Sequence, residues 1–317
     1  MSSCVTPNRF LGCDVGKASI TVFDSQTQRS YSLANKPAAL RAFAESLDAH
    51  CLVICEATGG YEAALLAALV TAGLAAHRAD ARKVKAFIRS FGTLGKSDKI
   101  DAKGLSRYGA ERHAALARWQ PREEDRLNLQ TLVLTRHDLV KSHTAFQNRL
   151  AAPQSAAVHR HLKRVVATLA AEIAKIETEI EELLHSSSSL KLATKVLTSI
   201  VGIGAATAPA LLALMPELGT LKRRQITALA GLAPHPNQSG EREGYRRTRG
   251  ERHSVKDALF MAAQSAARYH PELSALYERL VARGKKKIIA IAAVRRKLLV
   301  IANAKLREAT ALEALRP

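Results

Sequence analysis

Four carboxylates stand where they could act together on one substrate. Asp14 lies at the end of the apolar segment "RFLGCDV", and Glu56 ends the apolar segment "CLVICE". Asp98 and Asp101 are three residues apart in "KSDKIDAKG", a spacing that puts both on one face of a helix. Mg²⁺ prefers such oxygen ligands, and two ions about 3.5–4 Å apart can stabilise the attacking and leaving oxygens during phosphodiester cleavage. The four acids therefore predict a magnesium site with nuclease-type chemistry.

Each acid also has a simpler explanation. Asp98 could cap the helix that follows it, Asp80 also precedes a helix as a cap would, and Asp24 ends an outer strand. What favours a site is the combination of four acids at two strand ends and one helix face. Lys96 and Lys99 flank the last two acids, as expected if a polyanion must approach them.

A serine lies in the segment "HPNQSGEREG", which predicts an exposed loop. Ser239 could be a filler residue, the end of a glycosylation sequon that begins at Asn237, or a nucleophile. A serine hydroxyl needs activation by a base or a metal, and the nearby His235 and His253 are not placed as an obvious base. The segment around and after it is very basic and predicts nucleic-acid contacts by Arg242, Arg246, Arg247, Arg249 and Arg252.

The acids must be positioned by an alternation of strands and helices in the first hundred residues. The apolar and alternating segments predict three strands, a helix, a strand, a helix, a further strand and then basic helices. This order is typical of an α/β layer architecture.

Two long helical patterns follow. The first covers residues 123–150 and breaks near Pro153, and the second runs from Leu162 to Leu183 with an apolar residue about every 3.5 positions. The narrow stripe favours an antiparallel coiled-coil hairpin over two ordinary bundle helices. The serines of "HSSSS" predict a linker after it.

The last third of the chain is helical with glycine-rich breaks. "SIVGIGAATAPALLA" is typical of a helix-hairpin-helix, in which the backbone around Gly202 and Gly204 could approach phosphates without reading sequence. A Gly-x-Gly turn between packed helices explains the same letters, and both interpretations stay open.

The charge of the chain indicates a polyanionic partner. The 317 residues carry 48 Lys and Arg against 28 Asp and Glu, a formal net charge of +20. Residues 191–317 hold 23 of those bases and only 9 of the acids, so the basic excess is concentrated there. No apolar run is long enough to span a membrane, and the four cysteines are spaced like buried thiols rather than zinc ligands. We therefore expect a cytoplasmic protein, in which the sequon would have no use.

The motifs resemble those of a known family. "GCDVGKASITVF", "VICEATGGYE" and "GKSDKIDAKGLSRYG" are similar to successive motifs of the DEDD transposases, which include insertion-sequence and Piv-type DNA recombinases and bridge-RNA-guided recombinases. "QITALAGLAPHPNQSGEREGYRR" resembles the serine-containing motif of their C-terminal domain, although the segment after it has fewer glycines than the family pattern. The resemblance extends over nearly the whole chain.

The resemblance implies the roles of the site residues, the fold and the partners. Asp14, Glu56, Asp98 and Asp101 would be the tetrad that binds Mg²⁺, and Ser239 the nucleophile that forms a phosphoserine link to DNA. The implied fold is a RuvC-like, RNase H-type domain over residues 1–120, a coiled-coil hairpin over 121–190 and a mostly helical transposase domain over 191–317. The implied partners are donor and target DNA, a structured guide RNA, and further copies of the chain in a homodimer or homotetramer. A RuvC-like nuclease that activates water and a non-catalytic nucleic-acid-binding protein are the alternatives.

Overall fold

The computed structural model describes residues 6–92, 95, 97–121, 123–153, 155–239, 242–248, 250 and 252–313. Of Ser239 and residues 242–246 it describes the backbone. Two predicted nucleic-acid contacts, Lys96 and Arg249, lie outside the described residues. The chain divides into two compact units between Pro121 and Arg122. The finer division into three domains stays a prediction.

The first unit is built on a mixed five-stranded sheet. Its strands are β1 (Arg9–Val15), β2 (Ser19–Asp24), β3 (Arg29–Ala34), β4 (Cys51–Glu56) and β5 (Ala75–Ala79), in the spatial order β3-β2-β1-β4-β5. β1, β4 and β5 are parallel neighbours, whereas β2 is antiparallel to both β1 and β3. Consequently the carboxyl ends of the three parallel strands meet at one edge of the sheet, as expected for parallel strands joined by helical crossovers.

Helices cover both faces of this sheet, which confirms the predicted α/β layers. α1 (Pro37–Glu45) and α2 (Ala63–Thr71) pack on the face that carries Leu11, Cys13, Val53 and Cys55. α3 (Ala81–Arg89) and α4 (Asp98–Arg112) pack on the face that carries Phe10, Leu52 and Ile54. Side chains alternate between faces along a strand, so these two sets of residues come from alternate positions of the same strands. Cys13, Cys51 and Cys55 are buried free thiols, as predicted.

The second unit begins with a long helical hairpin. α5 (Glu124–Ala151) and α6 (Ala156–Ser186) are joined by a short connection that contains Pro153. A proline removes a backbone donor and ends the first helix, and the Ser155 hydroxyl caps the second by accepting a hydrogen bond from the Val158 amide. Arg136 donates to Glu177 across the two helices at 2.8 Å. Leu129, nearer the start of α5, shares a hydrophobic cluster with Leu184, nearer the end of α6, so the two helices run antiparallel.

The remainder of the second unit is mostly helical. It contains α7 (Ser188–Thr198), α8 (Thr207–Leu214), α9 (Arg223–Leu229), β6 (Pro234–Ser239), β7 (Arg242–Thr248), α10 (His253–Tyr269), α11 (Pro271–Ala282) and α12 (Lys287–Glu313). One hydrophobic cluster joins the base of the helical hairpin to these helices, with Leu129 and Leu184 contributing beside Leu211, Leu259 and Leu298. Within the described residues no helix is both long and apolar enough to cross a membrane.

Two local predictions were wrong. The serines expected to form a linker mostly belong to helices, because α6 ends at Ser186 and α7 begins at Ser188, with Ser187 between them. The segment around Ser239 is a β-hairpin rather than a loop, with His235 opposite Arg247 and Ser239 opposite Arg242. Its Pro, Asn and Gly residues are uncommon in strands, so composition predicted a loop. The strands form because their backbones pair with each other, a contact that composition does not reveal.

Candidate active site

A close contact between α4 and β1 sets the position of the acids. The Ser106 hydroxyl donates to the Phe10 carbonyl at 2.8 Å. At Gly12 a Cβ atom would lie 2.0 Å from the Ala102 carbonyl oxygen and 2.4 Å from the Ser106 amide, so only glycine allows the helix this close. Because Phe10 meets Ser106 and Gly12 meets Ala102, α4 runs antiparallel to β1.

The next positions along this contact are the acids themselves. Beyond Gly12 on β1 comes Asp14, and before Ala102 on α4 come Asp101 and, one turn earlier, Asp98. Asp14 is two residues from Gly12 and therefore on the face of the sheet that α4 covers. The first turn of α4 thus lies toward the end of β1 that carries Asp14.

Glu56 lies beside Asp14 on the neighbouring strand. β1 and β4 are parallel and in register up to the pair of Cys13 and Cys55, so Asp14 and Glu56 take the next position in each strand. Both are half-buried. Burial raises the pKa of Glu56, the positive charge of Lys85 opposes this, and the negative charges of Asp14, Asp101 and Asp80 raise the pKa further. The register therefore places Asp14 and Glu56 side by side near the carboxyl ends of β1 and β4.

Asp98 is exposed and is not the cap of its helix. The cap of α4 is Ser97, whose hydroxyl accepts a hydrogen bond from the Ile100 amide. The carboxylate of Asp98 therefore remains available for another role. Asp80, in contrast, is the cap of α3, as predicted, because it accepts from the Arg82 and Lys83 amides.

We call the edge of the sheet near Asp14, Glu56 and the first turn of α4 the acidic edge. Its carboxylates suit a hard cation whose remaining coordination positions are filled by water and substrate. Within the described part of the chain, no group of three or more His, Cys, Asp or Glu side chains could hold a metal ion by itself. Mg²⁺ commonly takes only one or two protein carboxylates and fills its remaining positions with water and phosphate oxygens. The neighbouring carboxylates of Asp14 and Glu56 fit that mode of binding, and the first turn of α4 carries Asp98 and Asp101 toward the same end of β1. Lys85 on α3 and the exposed Lys99 on α4 add positive charge near it.

The residues after Glu56 form a loop that Glu62 holds. Glu62 is 2% exposed, and its Oε2 atom accepts hydrogen bonds from the Thr58 amide at 3.1 Å and the Gly60 amide at 3.0 Å. The Thr58 hydroxyl donates to the same oxygen at 3.2 Å, and Arg78 on β5 pairs with the other oxygen at 2.8 Å. We refer to these contacts as the Glu62 latch. This latch was not predicted from the sequence, although a carboxylate that follows two glycines and directly precedes an apolar helix is a signal for it.

The hairpin that carries Ser239 is held at its base. Gly231 precedes β6 and Gly250 follows β7, and a Cβ atom at Gly250 would lie 2.4 Å from the Gly231 Cα atom. Lys256 on α10 donates to the Gly250 carbonyl at 2.9 Å. Ser239 is the last residue of β6, and the predicted contacts Arg242, Arg246 and Arg247 belong to β7.

Arg252 has a partner within its own unit. Its two terminal nitrogens bind the two carboxylate oxygens of Glu217, each at 2.7 Å, and one also donates to the Leu214 carbonyl. A bidentate pair of this kind holds a guanidinium firmly. The structure thus gives Arg252 a role in tying the start of α10 to the end of α8, beside the nucleic-acid contact predicted from sequence.

The two glycines between α7 and α8 differ in their surroundings. Gly202 has a φ of +103°, and a Cβ atom there would lie 2.7 Å from the Ala262 carbonyl oxygen on α10. Gly204 has open space where a side chain would be. Close packing against α10 therefore explains Gly202, which leaves phosphate binding at both glycines a prediction.

Known families match both units of the chain. The DEDD IS110 transposase model matches residues 11–153, and the model described as the transposase IS116/IS110/IS902 family matches residues 194–278. One solved structure that aligns is "T. thermophilus RuvC in complex with Holliday junction substrate", at 13% identity over 35% of this chain and 99% of that one. Its TM-score of 0.28 is below the level at which a shared fold follows.

Two curated relatives match most of the chain. The pilin gene-inverting proteins of Moraxella lacunata and Moraxella bovis are each 30% identical over 235 residues, which cover 71% of this chain and 70% of theirs. Of the two family models, the first covers the strands with Asp14 and Glu56, and the second covers Ser239. The chain belongs to the DEDD family of IS110-type transposases and pilin-inverting recombinases, enzymes that cut and rejoin DNA.

Proposed function

We propose that this protein transposes or recombines DNA by means of Mg²⁺ held at the acidic edge and a serine nucleophile, Ser239. The observation that carries the proposal is geometric: the parallel register of β1 and β4 puts Asp14 beside Glu56, and the contact of Gly12 with Ala102 brings the first turn of α4, with Asp101, toward the same strand ends. Acids gathered in a protein of charge +20 weaken phosphate binding unless a cation bridges them. The strand order and the family membership support a RuvC-like, RNase H-type character for the first unit.

The proposed chemistry passes through a covalent intermediate. The Ser239 oxygen bonds to phosphorus as the bond from phosphorus to the leaving sugar oxygen breaks. The serine proton goes to solvent, and the leaving oxygen takes up a proton. Bound Mg²⁺ would supply Lewis-acid stabilisation of charge on the phosphoryl oxygens. In the second step a hydroxyl of the recipient strand attacks the phosphoserine, which restores Ser239 and joins the new ends.

The other parts of the proposal concern partners. We assign Lys99, Arg242, Arg246 and Arg247, with Lys96 and Arg249, to phosphate contacts, because charge is what a backbone contact needs. The helical hairpin would be a coiled coil that joins copies in a dimer or tetramer, and Ser239 would reach the acids of its own or another copy. The segment between α7 and α8 would act as a helix-hairpin-helix, and a guide RNA would select DNA in the cytoplasm.

A trapping experiment tests the nucleophile. The gene with its flanking DNA is placed on a supercoiled plasmid and incubated with purified protein and Mg²⁺, and protein–DNA adducts are then separated under denaturing conditions. We expect wild type to form an adduct that Ser239→Ala abolishes and Ser265→Ala retains, since Ser265 is an exposed serine on α10. Nicking by Ser239→Ala at the wild-type rate would show that water is the nucleophile.

A second pair of variants tests the metal site. Asp14→Asn and Asp101→Asn should remove both cleavage and adduct, because each removes one anionic ligand while keeping the size of the side chain. Glu45→Gln at the exposed end of α1 is the matched control. Full activity of both variants, or activity without any divalent cation, would establish a metal-independent protein instead.

RNA guidance is tested on the protein as purified. RNA that co-purifies after nuclease treatment is sequenced and mapped to the DNA beside the gene. A single protected RNA from that flank is the expected result. Recovery of RNA fragments drawn at random from the host would contradict guidance.

A further inference from the structure

An exposed aromatic side chain stands on the loop that follows Glu56. Residues 57–62 connect β4 to α2, and Tyr61 is 47% exposed. A single exposed aromatic side chain is common on protein surfaces, but it can also be a contact for a partner. The surroundings of Tyr61 indicate which of these two explanations applies.

Hydrogen bonds fix the conformation of this loop. The Glu62 latch fixes the Thr58 and Gly60 amides, and Gly59 and Gly60 take the left-handed backbone that the turn requires, with φ of +73° and +107°. The Asn35 side chain then donates to two carbonyls, those of Gly16 at 3.0 Å and Tyr61 at 3.2 Å. The backbone of Tyr61 is thus tied to the chain only two residues beyond Asp14.

Two exposed lysines flank this tie. Lys17 directly follows Gly16, and Lys36 directly follows Asn35. The tie thus brings the backbone of Tyr61 next to two segments that each carry an exposed lysine. An aromatic side chain and cations near a proposed phosphodiester site have the composition of a stacking platform for nucleic acid. The faces of bases supply π surface to stack on, and the phosphates supply the negative charge.

We propose that Tyr61, flanked by Lys17 and Lys36, stacks on an unpaired base of the nucleic-acid strand whose phosphodiester lies at the acidic edge. The ring can reach the face of a base only if that base has left its duplex, so the partner is a locally unpaired nucleotide. This inference rests on the proposed function for the location of the strand, but it needs no particular nucleophile.

Photo-crosslinking tests the contact on the full chain. The probe is an oligothymidylate strand of about 16 nucleotides with one 5-iododeoxyuridine, bound in the presence of Ca²⁺ so that binding is measured apart from cleavage. Excitation of the iodinated base links it to an aromatic side chain stacked on it. We expect mass spectrometry to place the link on Tyr61. Links confined to other residues would overturn the proposal.

Matched variants give the size of the effect. Tyr61→Ala should weaken the crosslinking complex by about 5- to 150-fold, the range that corresponds to loss of one base–aromatic stack. Tyr61→Phe should behave like wild type, because stacking needs the ring and not the hydroxyl. Tyr31→Ala, at a 42% exposed tyrosine on β3, should also behave like wild type. Equal affinities of Tyr61→Ala and Tyr31→Ala would refute the platform.

The outcomes separate this inference from the proposed function. If a base crosslinks to Tyr61 and the protein–DNA adduct still forms in Ser239→Ala, the stacking role of Tyr61 is supported and Ser239 is not the nucleophile. If the adduct depends on Ser239 and no base crosslinks to Tyr61, the proposed serine chemistry is supported and the stacking role of Tyr61 is wrong.

Discussion

Replacing Glu62 by glutamine should loosen the loop beside the acidic edge. The substitution keeps the volume of a buried side chain, removes its charge and replaces one acceptor oxygen by an NH2 donor. Oε2 of Glu62 receives three hydrogen bonds, from the Thr58 amide, the Thr58 hydroxyl and the Gly60 amide, and Oε1 pairs with Arg78. Glutamine retains one acceptor oxygen but offers it without charge.

The magnitude follows from the difference between charged and neutral hydrogen bonds. A bond to a charged group contributes about 1.5–3 kcal/mol net, against about 0.5–1.5 kcal/mol for a neutral one. The ion pair adds less than about 1 kcal/mol, because the Arg78 side chain is 38% exposed and solvent screens it. Glutamine also avoids the desolvation of a buried carboxylate, which offsets part of the loss. We expect Glu62→Gln to lower the free energy of unfolding by about 2–4 kcal/mol.

The only tryptophan of the chain gives an assay specific to this unit. Trp119 packs on the core between the sheet and α1 and α2, so its fluorescence reports unfolding of the first unit. Urea unfolding at neutral pH measures the free-energy difference from wild type. Glu45→Gln, at an exposed glutamate of the same unit, is expected within about 0.5 kcal/mol of wild type. If Glu62→Gln is no less stable than Glu45→Gln, the charge of Glu62 does not stabilise the first unit.

The same variant should show a defined pH dependence. Burial alone would raise the pKa of Glu62, but the loop amides and the charge of Arg78 outweigh it, so the pKa is lowered. A lowered pKa stabilises the folded state above the pKa of the unfolded carboxyl group, about 4.3, and this stability is lost as the pH falls through the folded pKa. The stability gap between wild type and Glu62→Gln should therefore be constant near neutral pH and shrink below about pH 4.3.

Three further changes give predictions of different sign. Glu56→Gln should raise the stability of the metal-free protein at neutral pH, because the raised pKa of Glu56 means that its charge destabilises the folded state. In melts followed by Trp119 fluorescence, this gain should vanish as the pH falls toward about 4.3, the pKa of the unfolded carboxyl group. A melting temperature equal to that of wild type at neutral pH would contradict this prediction. Gly202→Ala should destabilise the chain by about 1–3 kcal/mol because of its left-handed backbone, and by more because of its contact with α10, whereas Gly204→Ala should be nearly neutral. Equal melting temperatures of the two variants, measured by circular dichroism, would contradict this difference. Gly12→Ala should push α4 off β1 and weaken Mg²⁺ binding measured by calorimetry, and wild-type affinity would show that the close approach does not position the acids.

Much of the first unit follows from local pattern. The apolar and alternating segments that predicted strands are β1 to β5, and the helices between them are where periodicity placed them. Burial of one strand face or one helix stripe is a property of neighbouring residues, so it is visible in the letters. The same patterns placed Asp14 and Glu56 at strand ends, and Asp98 and Asp101 at the start of a helix.

The sequence by itself therefore determined which residues could do chemistry and which elements carry them. The tertiary structure decided how they meet. The parallel pairing of β1 and β4 puts Asp14 beside Glu56, and the missing side chain of Gly12 brings α4 onto the same face. The Glu62 latch joins two strands and a loop, and the hairpin of Ser239 exists because its two backbones pair. These contacts join residues far apart in the chain, and local propensity contains no information about such pairs.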